Sequence, residues 1–400
     1  MHFHPRGQQG NTYFRESHYA ESAIVIQREL LLVNYITKEL SILNNYQGRK
    51  VLITGHTGFK GSWMCCVLSK LRAEVAGYSI DVPTKPSLYE LSGIGSEVET
   101  IIGDVRDLKA LRKTFDEFKP EIVIHMAAQP IVSKGYKEPI VTFDVNLMGT
   151  VNVLECIRES ESVKSAVIIT TDKVYEIEED GKTLNETGRL GGYNPYAASK
   201  ACAELAVSAY KNSFFSAGEK AISTVRAGNV IGGGDFADNR IVPDIIRAAV
   251  AGETVEIRNP FASRPYQHVL DPIVCYLMLA LRQMEDRNIS GAYNIGPNEG
   301  SISNEALVSM ICERINSLRN VDGYEKKVEY TAASDKVIDI HETDKLEIDA
   351  SKIQIVLGWR DRLTMEDAAA EIASFEECLR QDGDIREHID SIIDNYLQAS

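Results

Sequence analysis

The sequence has few of the residues that mark disulfide-bonded, metal-bound or membrane-embedded proteins. Its seven cysteines, spread over 400 residues, form no C-x-x-C pair and no spacing that combines cysteine with histidine ligands. That pattern argues against the common zinc sites and favours reduced thiols in a cytoplasmic protein. Past residue 45 we find no apolar run long enough to cross a bilayer. We therefore predict no metal site and no membrane contact.

Positive charge is also scarce. Lys and Arg total 43 residues against 58 Asp and Glu, which gives a formal net charge of -15. An acidic chain of this kind argues against nucleic acid or anionic membranes as partners. It still allows an anionic ligand, because a phosphate site needs only local positive potential. The apolar fraction of 44% and the charged fraction of 25% are those of a globular chain with a sizeable core.

Residues 1–45 differ from the rest of the chain, and we interpret them as an N-terminal extension. The segment Ala23–Ile36 is apolar at helical spacing but contains Arg28 and Glu29. It is too short and too charged to span a bilayer, and it lacks the basic start and cleavage site of a secretory signal. We predict an amphipathic helix that packs on the body of the protein or on a partner subunit.

From Gly48 onward, strand-like and helix-like segments alternate. Amphipathic segments predict helices, among them Ser62–Leu71, Leu108–Phe118 and Asn146–Ser160. This alternation predicts an α/β fold with a doubly wound, parallel, Rossmann-type sheet. We assign residues 46–229 to this domain and 230–400 to a smaller C-terminal substrate-binding region, with segments that return to the sheet. The predicted strands, rich in β-branched and apolar residues, are Arg49–Thr54, Glu74–Ser79, Thr100–Gly103, Glu121–Met126, Lys164–Thr170 and Ala221–Arg226.

A glycine-rich loop follows the first predicted strand directly and opens a helix. Its glycines form a G-x-x-G-x-x-G pattern. Such a turn lets the backbone approach a pyrophosphate at the helix N-terminus and lets the helix pack closely on the strand. Glycines alone would also suit an ordinary turn between strand and helix, so the prediction depends on its context. The predicted cofactor-binding residues of this loop are Gly55, His56, Thr57, Gly58, Phe59, Lys60 and Gly61.

Residues that follow the next strands complete a predicted dinucleotide site. Asp81 follows the second strand, where a carboxylate would bind the ribose hydroxyls and repel the extra phosphate of NADP. NAD is therefore the predicted cofactor, although Asp81 would also suit a turn. Asp104 and Val105 would contact the adenine, unless Asp104 caps the following helix. The small residues Ala127 and Ala128 would let the cofactor pass close to the sheet edge.

A candidate catalytic set lies further along the chain. Tyr196 and Lys200 are four residues apart, which places phenol and ammonium on one helix face. A phenol with a pKa of about 10 is a poor base at neutral pH, but a lysine cation and the positive nicotinamide of NAD would lower that pKa. Thr171, Asp172 and Lys173 close the fifth predicted strand, at the edge where an open α/β sheet binds its ligand. A Y-x-x-x-K pair alone is usually an exposed helix face, and these neighbouring motifs favour catalysis.

Together these motifs resemble those of the extended short-chain dehydrogenase/reductases and, in finer detail, those of CDP-glucose 4,6-dehydratases. The resemblance covers about residues 48–359 and depends on the segments 54–63, 125–130, 171–175, 225–235 and 258–269. It implies NAD as a cofactor that is regenerated in each turnover. It also implies a nucleotide-sugar substrate and a homodimer or higher homo-oligomer.

The resemblance further implies a reaction. Tyr196 would take the C4 hydroxyl proton while NAD takes the C4 hydride; the C5 proton then leaves, water is lost from C6, and the hydride returns to C6. In similar dTDP-glucose enzymes a Thr-Asp-Glu sequence assists these steps, and here Thr171, Asp172 and Lys173 match it. Lys173 departs from that pattern, although CDP-glucose dehydratases resemble this chain in having lysine there. The implied substrate-binding residues are Gln129, Asn229, Arg264 and His268.

Three other functions fit parts of the pattern. A nucleotide-sugar 4-epimerase or reductase needs Tyr196 and Lys200 but no acid beside Thr171. A UDP-N-acetylhexosamine 4,6-dehydratase that inverts C5 carries Thr-Asp-Lys, but its tyrosine follows the lysine much more closely than the 23 residues found here. A non-catalytic NAD-binding regulator would not need an intact catalytic set. Arg226, at the end of the sixth predicted strand, suits either a substrate contact or a structural ion pair.

Overall fold

The structure is a computed structural model that describes residues 40–176, 183–215, 220–321, 327–332 and 346–398. The predicted helix within Ala23–Ile36 and most of the N-terminal extension lie outside the described residues. Near its start the described chain forms a 3-10 helix, Ser41–Tyr46. The buried Tyr46 hydroxyl donates to the backbone oxygen of Leu277 at 3.0 Å, which fastens this turn to the body of the fold.

Strands and helices alternate from Lys50 onward. Each of the six predicted strands is present, and no end differs from its predicted position by more than one residue. The described strands are β1 (Lys50–Thr54), β2 (Glu74–Ser79), β3 (Glu99–Ile102), β4 (Ile122–His125), β5 (Ser165–Ile169), β6 (Ala221–Ala227), β7 (Asn229–Ile231), β8 (Val255–Ile257), β9 (Ser263–Arg264), β10 (Tyr266–His268), β11 (Ala292–Ile295), β12 (Ile302–Ser303) and β13 (Tyr330–Ala332).

Seven strands form one parallel sheet in the order β11-β6-β5-β4-β1-β2-β3. The chain order reverses between β1 and β4, so the loops after these two strands diverge and leave a crevice at the carboxyl edge of the sheet. The predicted α/β class with a doubly wound parallel sheet is confirmed. The seventh strand, β11, comes from the C-terminal part of the chain and pairs with β6.

The helices cover both faces of the sheet and continue beyond it. The predicted helix Ser62–Leu71 begins three residues earlier, at Phe59, because Gly58 is its N-cap. The predicted helix Asn146–Ser160 starts within a π-helical turn, Asp144–Met148. The described α-helices are α1 (Phe59–Lys70), α2 (Leu88–Leu91), α3 (Leu108–Phe118), α4 (Val132–Lys137), α5 (Pro139–Phe143), α6 (Gly149–Glu159), α7 (Pro195–Tyr210), α8 (Ile241–Ala251), α9 (Leu270–Glu285), α10 (Asn304–Val321), α11 (Ser351–Leu357), α12 (Met365–Arg380) and α13 (Ile385–Gln398).

The sheet separates two apolar layers because successive strand residues point to opposite faces. Val51 and Ile53 of β1 pack in the layer that contains Trp63 and α9, whereas Leu52 packs in the layer that contains Phe115. All three β1 residues are fully buried. A strand that is apolar on both faces is expected at the centre of a doubly wound sheet. Because β1 is buried in this way, the position of the loop that follows it is fixed at the edge of the sheet.

The C-terminal region has an apolar core of its own. Ile245, Ile311 and Ile372 meet there from α8, α10 and α12. Three two-stranded sheets lie in this region: β7 with β10, β9 with β12, and β8 with β13. The parallel pair β7 and β10 continues directly from β6, so it carries its residues to the carboxyl edge of the main sheet.

One described helix corrects an expectation from the sequence. The run Pro139–Glu159, formed by α5, the π-helical turn and α6, is long and apolar enough by composition alone to cross a membrane. The expectation that no such run follows residue 45 was therefore wrong. The helix is nevertheless partly buried in the protein, where the side chains of Asn146 and Thr150 make hydrogen bonds to neighbouring elements. That burial is typical of a core helix.

Candidate active site

The glycine loop joins β1 to α1 with the backbone geometry that a diphosphate site requires. Gly55 has φ of +80°, and a Cβ built there would lie 2.8 Å from the backbone nitrogen of Ala127. A Cβ on Gly61 would lie 2.2 Å from the carbonyl oxygen of Gly55. Gly58 is the N-cap of α1, so the first N–H groups of that helix open toward the loop. Residues larger than glycine at 55 and 61 would close this turn.

The side chains of the loop are mostly used for packing. His56 is buried against Gly77, and its Nδ1 lies 2.8 Å from the Ser79 hydroxyl. Burial lowers the pKa of His56 to about 4, so the ring is neutral. Thr57 donates from its hydroxyl to the backbone oxygen of Asp81 at 2.6 Å, and Phe59 packs against the core. His56 and Thr57 therefore shape the loop with their side chains.

The predicted adenosine residues surround the end of β2 and β3. Asp81 is exposed, and its carboxylate makes no hydrogen bond to any described residue. Asp104 instead forms a two-pronged ion pair with Arg106, which holds the pKa of this carboxyl below its usual value. The alternative that Asp104 caps the next helix is wrong, because the Asp107 side chain accepts from the first N–H groups of α3. Val105 is buried against Gly149.

Ala127 and Ala128 lie where β4 ends, next to the glycine loop. The Thr54 hydroxyl accepts hydrogen bonds from the backbone N–H groups of Met126 and Ala127, both at 3.2 Å. The same hydroxyl lies 2.7 Å from Nδ1 of His125, a buried ring whose pKa falls to about 3 because of burial and the Lys200 charge. These bonds tie the end of β1 to the end of β4, so the two sides of the crevice are held at a fixed separation.

Lys200 lies on α7, which begins at Pro195 with the Asn194 side chain as its cap. Its ammonium is buried and donates to the backbone oxygen of Ile169 at 2.9 Å, at the end of β5. Burial lowers the pKa of Lys200 to about 8, and the nearby Glu204 carboxylate opposes that shift. Lys200 is thus mostly charged at neutral pH and close to losing its proton.

Tyr196, one turn earlier on α7, is half-buried, and its phenol lies near Thr171, Asp172 and Arg240. Burial raises the pKa of the phenol, and the negative charge of Asp172 raises it further. The Thr171 hydroxyl and the positive charge of Arg240 lower it. Sequence reasoning missed Arg240, which reaches this site from the N-cap of α8 and pairs with the buried Asp235 at 3.3 Å.

Thr171, Asp172 and Lys173 form a connected group at the end of β5. Thr171 caps the short 3-10 turn Asp172–Val174 and donates from its hydroxyl to Asp172 Oδ1 at 3.0 Å. Lys173 Nζ donates to the same oxygen at 3.1 Å. Asp172 is fully buried, and its second oxygen, Oδ2, has no partner among the described residues. That oxygen is therefore a hydrogen-bond acceptor that the described residues leave unused.

Of the four predicted substrate residues, two have side chains that the protein itself uses. Gln129 is buried, and its amide donates to the Thr142 hydroxyl at 2.9 Å and accepts from the Ile131 N–H at 2.7 Å. His268 is fully buried, with one ring nitrogen 3.1 Å from Glu371 and the other accepting from the Leu270 N–H. Both ring nitrogens of His268 thus have partners within the protein, whereas the Gln129 amide has a second N–H beyond its bond to Thr142. Substrate contact by either residue stays a prediction.

The other two lie close to the pairing of β7 with β10. Asn229 starts β7, and its Oδ1 accepts from Lys173 Nζ at 3.1 Å. Arg264 is buried on β9, where its Nη1 donates to the backbone oxygen of Ser263 at 2.9 Å. Asn229 is thus in direct contact with one of the residues that close β5.

Arg226 proves to be a structural ion pair. It makes two bonds to the Glu204 carboxylate, at 3.0 and 2.9 Å, and both side chains are buried. Glu204 also accepts from the hydroxyls of Thr170 and Thr224 at 2.5 and 2.7 Å. Sequence reasoning missed Glu204, although its position four residues after Lys200 placed it on the same face of α7. The network holds α7 against the ends of β5 and β6.

Lys60 is the loop residue that turns toward the catalytic group. Burial lowers its pKa to about 7, with further lowering by the charges of Arg240 and Lys200. The carboxylates of Asp172 and Asp235 act in the opposite direction. Its position in the glycine loop predicted contact with the cofactor, and the structure adds proximity to the residues that follow β5.

The chain is similar to known proteins over most of its length. The family model of GDP-mannose 4,6 dehydratase matches residues 52–372. A CDP-glucose 4,6-dehydratase of Salmonella typhimurium is 39% identical over 363 residues, which cover 89% of this chain and 98% of that protein. A solved Thermus thermophilus UDP-glucose 4-epimerase in complex with NAD is 26% identical, with a TM-score of 0.68 over 82% of this chain and 99% of that one.

A solved Bacillus anthracis dTDP-glucose 4,6-dehydratase in complex with NAD has the same fold, with a TM-score of 0.66 and 20% identity over 84% of this chain and 99% of that one. The structural likeness agrees with the sheet order, and the family model spans both the glycine loop and the residues after β5. The chain therefore belongs to the GDP-mannose 4,6-dehydratase family of nucleotide-sugar dehydratases, within the extended short-chain dehydrogenase/reductases.

Proposed function

We propose that the chain is an NAD-dependent lyase that converts CDP-D-glucose to CDP-4-dehydro-6-deoxy-D-glucose. The observation that carries the proposal is the connected group Thr171, Asp172 and Lys173 beside the Tyr196 phenol. A 4-epimerase or a reductase needs the phenol but no buried carboxylate next to it. CDP as the nucleotide is supported by the 39% identity to the Salmonella CDP-glucose 4,6-dehydratase.

The residues of the glycine loop fit NAD. Gly55 and Gly61 leave no room for a Cβ, which keeps the N-terminus of α1 open to a diphosphate. The exposed Asp81 carboxylate would accept hydrogen bonds from the adenosine ribose and would repel a 2′-phosphate. These residues would hold NAD, and the bound cofactor would supply hydride transfer from C4 and back to C6. Faster turnover with NADP than with NAD would contradict the role given to Asp81.

Tyr196 and Thr171 serve oxidation at C4. The phenolate of Tyr196 takes the C4 hydroxyl proton. The Thr171 hydroxyl beside it would support the developing negative charge by turning its proton from Asp172 Oδ1 to the substrate oxygen. Burial alone would keep the phenol protonated, so positive charge nearby is required. Arg240 supplies part of it in the structure, and Lys200 adds positive potential at neutral pH because its pKa stays near 8.

Asp172 and Lys173 serve elimination of water across C5 and C6. Oδ2 of Asp172 is buried and without a partner among the described residues, so this oxygen is the atom we assign to protonate the leaving C6 hydroxyl. Lys173 lies 3.1 Å from Oδ1, on the same short turn. Held there as an ammonium, it would stabilise the enolate that forms when water or another carboxylate takes the C5 proton.

The substrate diphosphate is assigned to Arg264, because a planar guanidinium matches two phosphate oxygens. Asn229 borders the sugar through its contact with Lys173. Gln129 and His268 make hydrogen bonds that fix the backbone around the site. Because Arg264 is assigned to binding and not to the chemical steps, we expect Arg264→Gln to raise KM far more than it lowers kcat.

We also propose a cytoplasmic homodimer. All seven cysteines are free thiols, as expected in a reducing compartment. Exposed apolar side chains lie on the adjacent helices α5 to α7, among them Ile140 at 84% exposure and Leu205 at 59%. Large apolar side chains in such numbers on neighbouring helices favour a protein interface. A monomeric mass in solution, measured by light scattering, would contradict the dimer.

The decisive experiment offers CDP-, dTDP-, UDP- and GDP-glucose to the purified protein with catalytic amounts of NAD. Product is read from the alkaline absorbance of the 4-keto sugar, and free NADH is followed in parallel. We expect turnover with CDP-glucose and no net NADH. Stoichiometric NADH release would make the chain a simple dehydrogenase, and a 4-epimer as the product would make it an epimerase.

A further inference from the structure

We infer that Asn229 is a positioning residue for elimination, and that it acts through Lys173. The inference depends on the proposed dehydration, and it adds to the role first expected for Asn229, which was contact with the substrate. Asn229 Oδ1 accepts a hydrogen bond from Lys173 Nζ at 3.1 Å, equal to the distance from Nζ to Asp172 Oδ1. Two oxygens from different elements therefore hold one lysine head group.

The chemistry of the contact fixes which way the amide of Asn229 faces. An ammonium group only donates hydrogen bonds, and the amide nitrogen of asparagine also only donates. A flipped amide would place two donors against each other, so the oxygen must face Lys173. With Asp172 on its other side, Lys173 has one charged and one neutral acceptor.

The backbone of Asn229 is clamped, which makes its side chain a rigid reference point. Its N–H donates to the Pro265 oxygen at 3.1 Å, and β7 pairs in parallel with β10 from this residue onward. The preceding Gly228 donates to the Ile295 oxygen at 3.3 Å, and a Cβ on Gly228 would lie 2.5 Å from the Pro265 oxygen. Asn229 is thus fixed to the seventh strand of the sheet and to the C-terminal region at once.

Lys173, by contrast, has a long and partly exposed side chain, with 27% of its surface accessible. Without the Asn229 oxygen, Asp172 is the remaining acceptor of its ammonium among the described residues, and Nζ could bridge both carboxylate oxygens. That movement would occupy Oδ2 of Asp172, the atom assigned to protonate the C6 oxygen. Asn229 keeps the lysine aligned and keeps Oδ2 open. Oxidation at C4 uses Tyr196 and does not need this arrangement.

The test compares Asn229→Leu, which keeps the side-chain volume and removes the oxygen, with Asn229→Asp, which keeps an oxygen at the same place. Single turnovers at saturating CDP-glucose measure bound NADH formation for oxidation, and C5 exchange with deuterated water plus product release for elimination. Loss of a hydrogen bond to a charged group should slow elimination about 10- to 100-fold in Asn229→Leu. NADH should form at nearly the wild-type rate, and Asn229→Asp should retain most of the elimination.

The matched control is the same substitution in a Lys173→Met background. If Asn229 acts through Lys173, Asn229→Leu should not lower further the slow residual product formation measured there over long incubations. Three results would overturn the inference. Asn229→Leu could slow oxidation and elimination equally, it could change only KM, or it could slow product formation as much in the Lys173→Met background as in the wild type. If Asn229→Leu binds less NAD or unfolds at a lower temperature than wild type, Asn229→Ala is used in its place. Failure of the proposed function is distinguishable, because wild-type protein would then form no NADH with CDP-glucose.

Discussion

Replacing Asp172 with asparagine should leave a protein that oxidises its substrate and then fails to dehydrate it. In the structure Asp172 Oδ1 accepts from Thr171 at 3.0 Å and from Lys173 at 3.1 Å. An asparagine oxygen in the same place keeps both bonds. The substitution changes the other side of the group, where Oδ2 is buried without a described partner and a non-acidic amide takes its place. The shape of the site is preserved while the acid is lost.

The size of the effect follows from the step that needs the acid. General acid catalysis contributes about 10²- to 10⁴-fold, so elimination should slow by at least about 100-fold. Oxidation should not slow for the same reason, because the Asp172 charge raises the pKa of Tyr196 and its removal lowers that pKa. A phenol with a lower pKa is more readily ionised at neutral pH. Bound NADH should therefore accumulate to nearly one equivalent on mixing with substrate.

The assay is rapid mixing with CDP-glucose, following NADH absorbance and, in quenched samples, the alkaline absorbance of the 4-keto product. Asp235→Asn is the matched control: Asp235 is another buried carboxylate of the site, paired with Arg240 but given no part in elimination. It should not separate the two steps. Dehydration by Asp172→Asn at the wild-type rate would refute the reasoning, and so would loss of NADH formation together with product.

Three other substitutions test the remaining roles. Tyr196→Phe should reduce turnover about 10²- to 10⁴-fold with bound NAD unchanged, and retention of more than about a tenth of the rate would require another base. Lys173→Met should still form bound NADH but should not exchange C5 hydrogen with deuterated water; partial rescue by Lys173→Arg is expected for a charged role, and exchange at the wild-type rate would leave the lysine no role in elimination. Because burial lowers the pKa of Lys200 to about 8 from 10.5, the unfolded state binds more protons than the folded state between these pH values. The free energy of unfolding of wild type, minus that of Lys200→Met, should therefore rise from about pH 8 to about pH 10.5 in denaturant titrations. If this difference does not change with pH, the pKa of Lys200 is the same in the folded and unfolded states.

Short-range patterns in the chain were sufficient to predict the sheet and to point to the residues at its edge. β1 and β5 are continuous apolar runs, and the structure buries them on both faces. The glycine loop depends on residues three apart, and Tyr196 and Lys200 lie one turn apart on α7. Each pattern is local, so elementary backbone geometry turns it directly into a position in space.

Contacts between distant segments were not predictable in this way. Asn229 meets Lys173 across 56 residues, and His268 meets Glu371 across 103. Nothing near His268 in the chain indicates that α12 supplies a carboxylate to it, so the sequence did not reveal that both ring nitrogens have partners within the protein. The seventh strand, β11, joins β6 from 65 residues beyond its end and likewise depends on the packing of the C-terminal region.

The arrangement also bears on how one carboxyl group serves as the acid. Asp172 must carry a proton when water leaves C6, yet its salt bridge with Lys173 uses the ionised carboxylate. The proton that Tyr196 takes from C4 is available at the right moment, because oxidation precedes elimination. Thr171 lies beside the phenol and donates to Asp172 Oδ1, so the group that gains the proton and the group that must deliver it flank the same residue. In the proposed mechanism, the proton released by oxidation at C4 is the one that elimination consumes, once Asp172 carries it on Oδ2, the oxygen without a described partner.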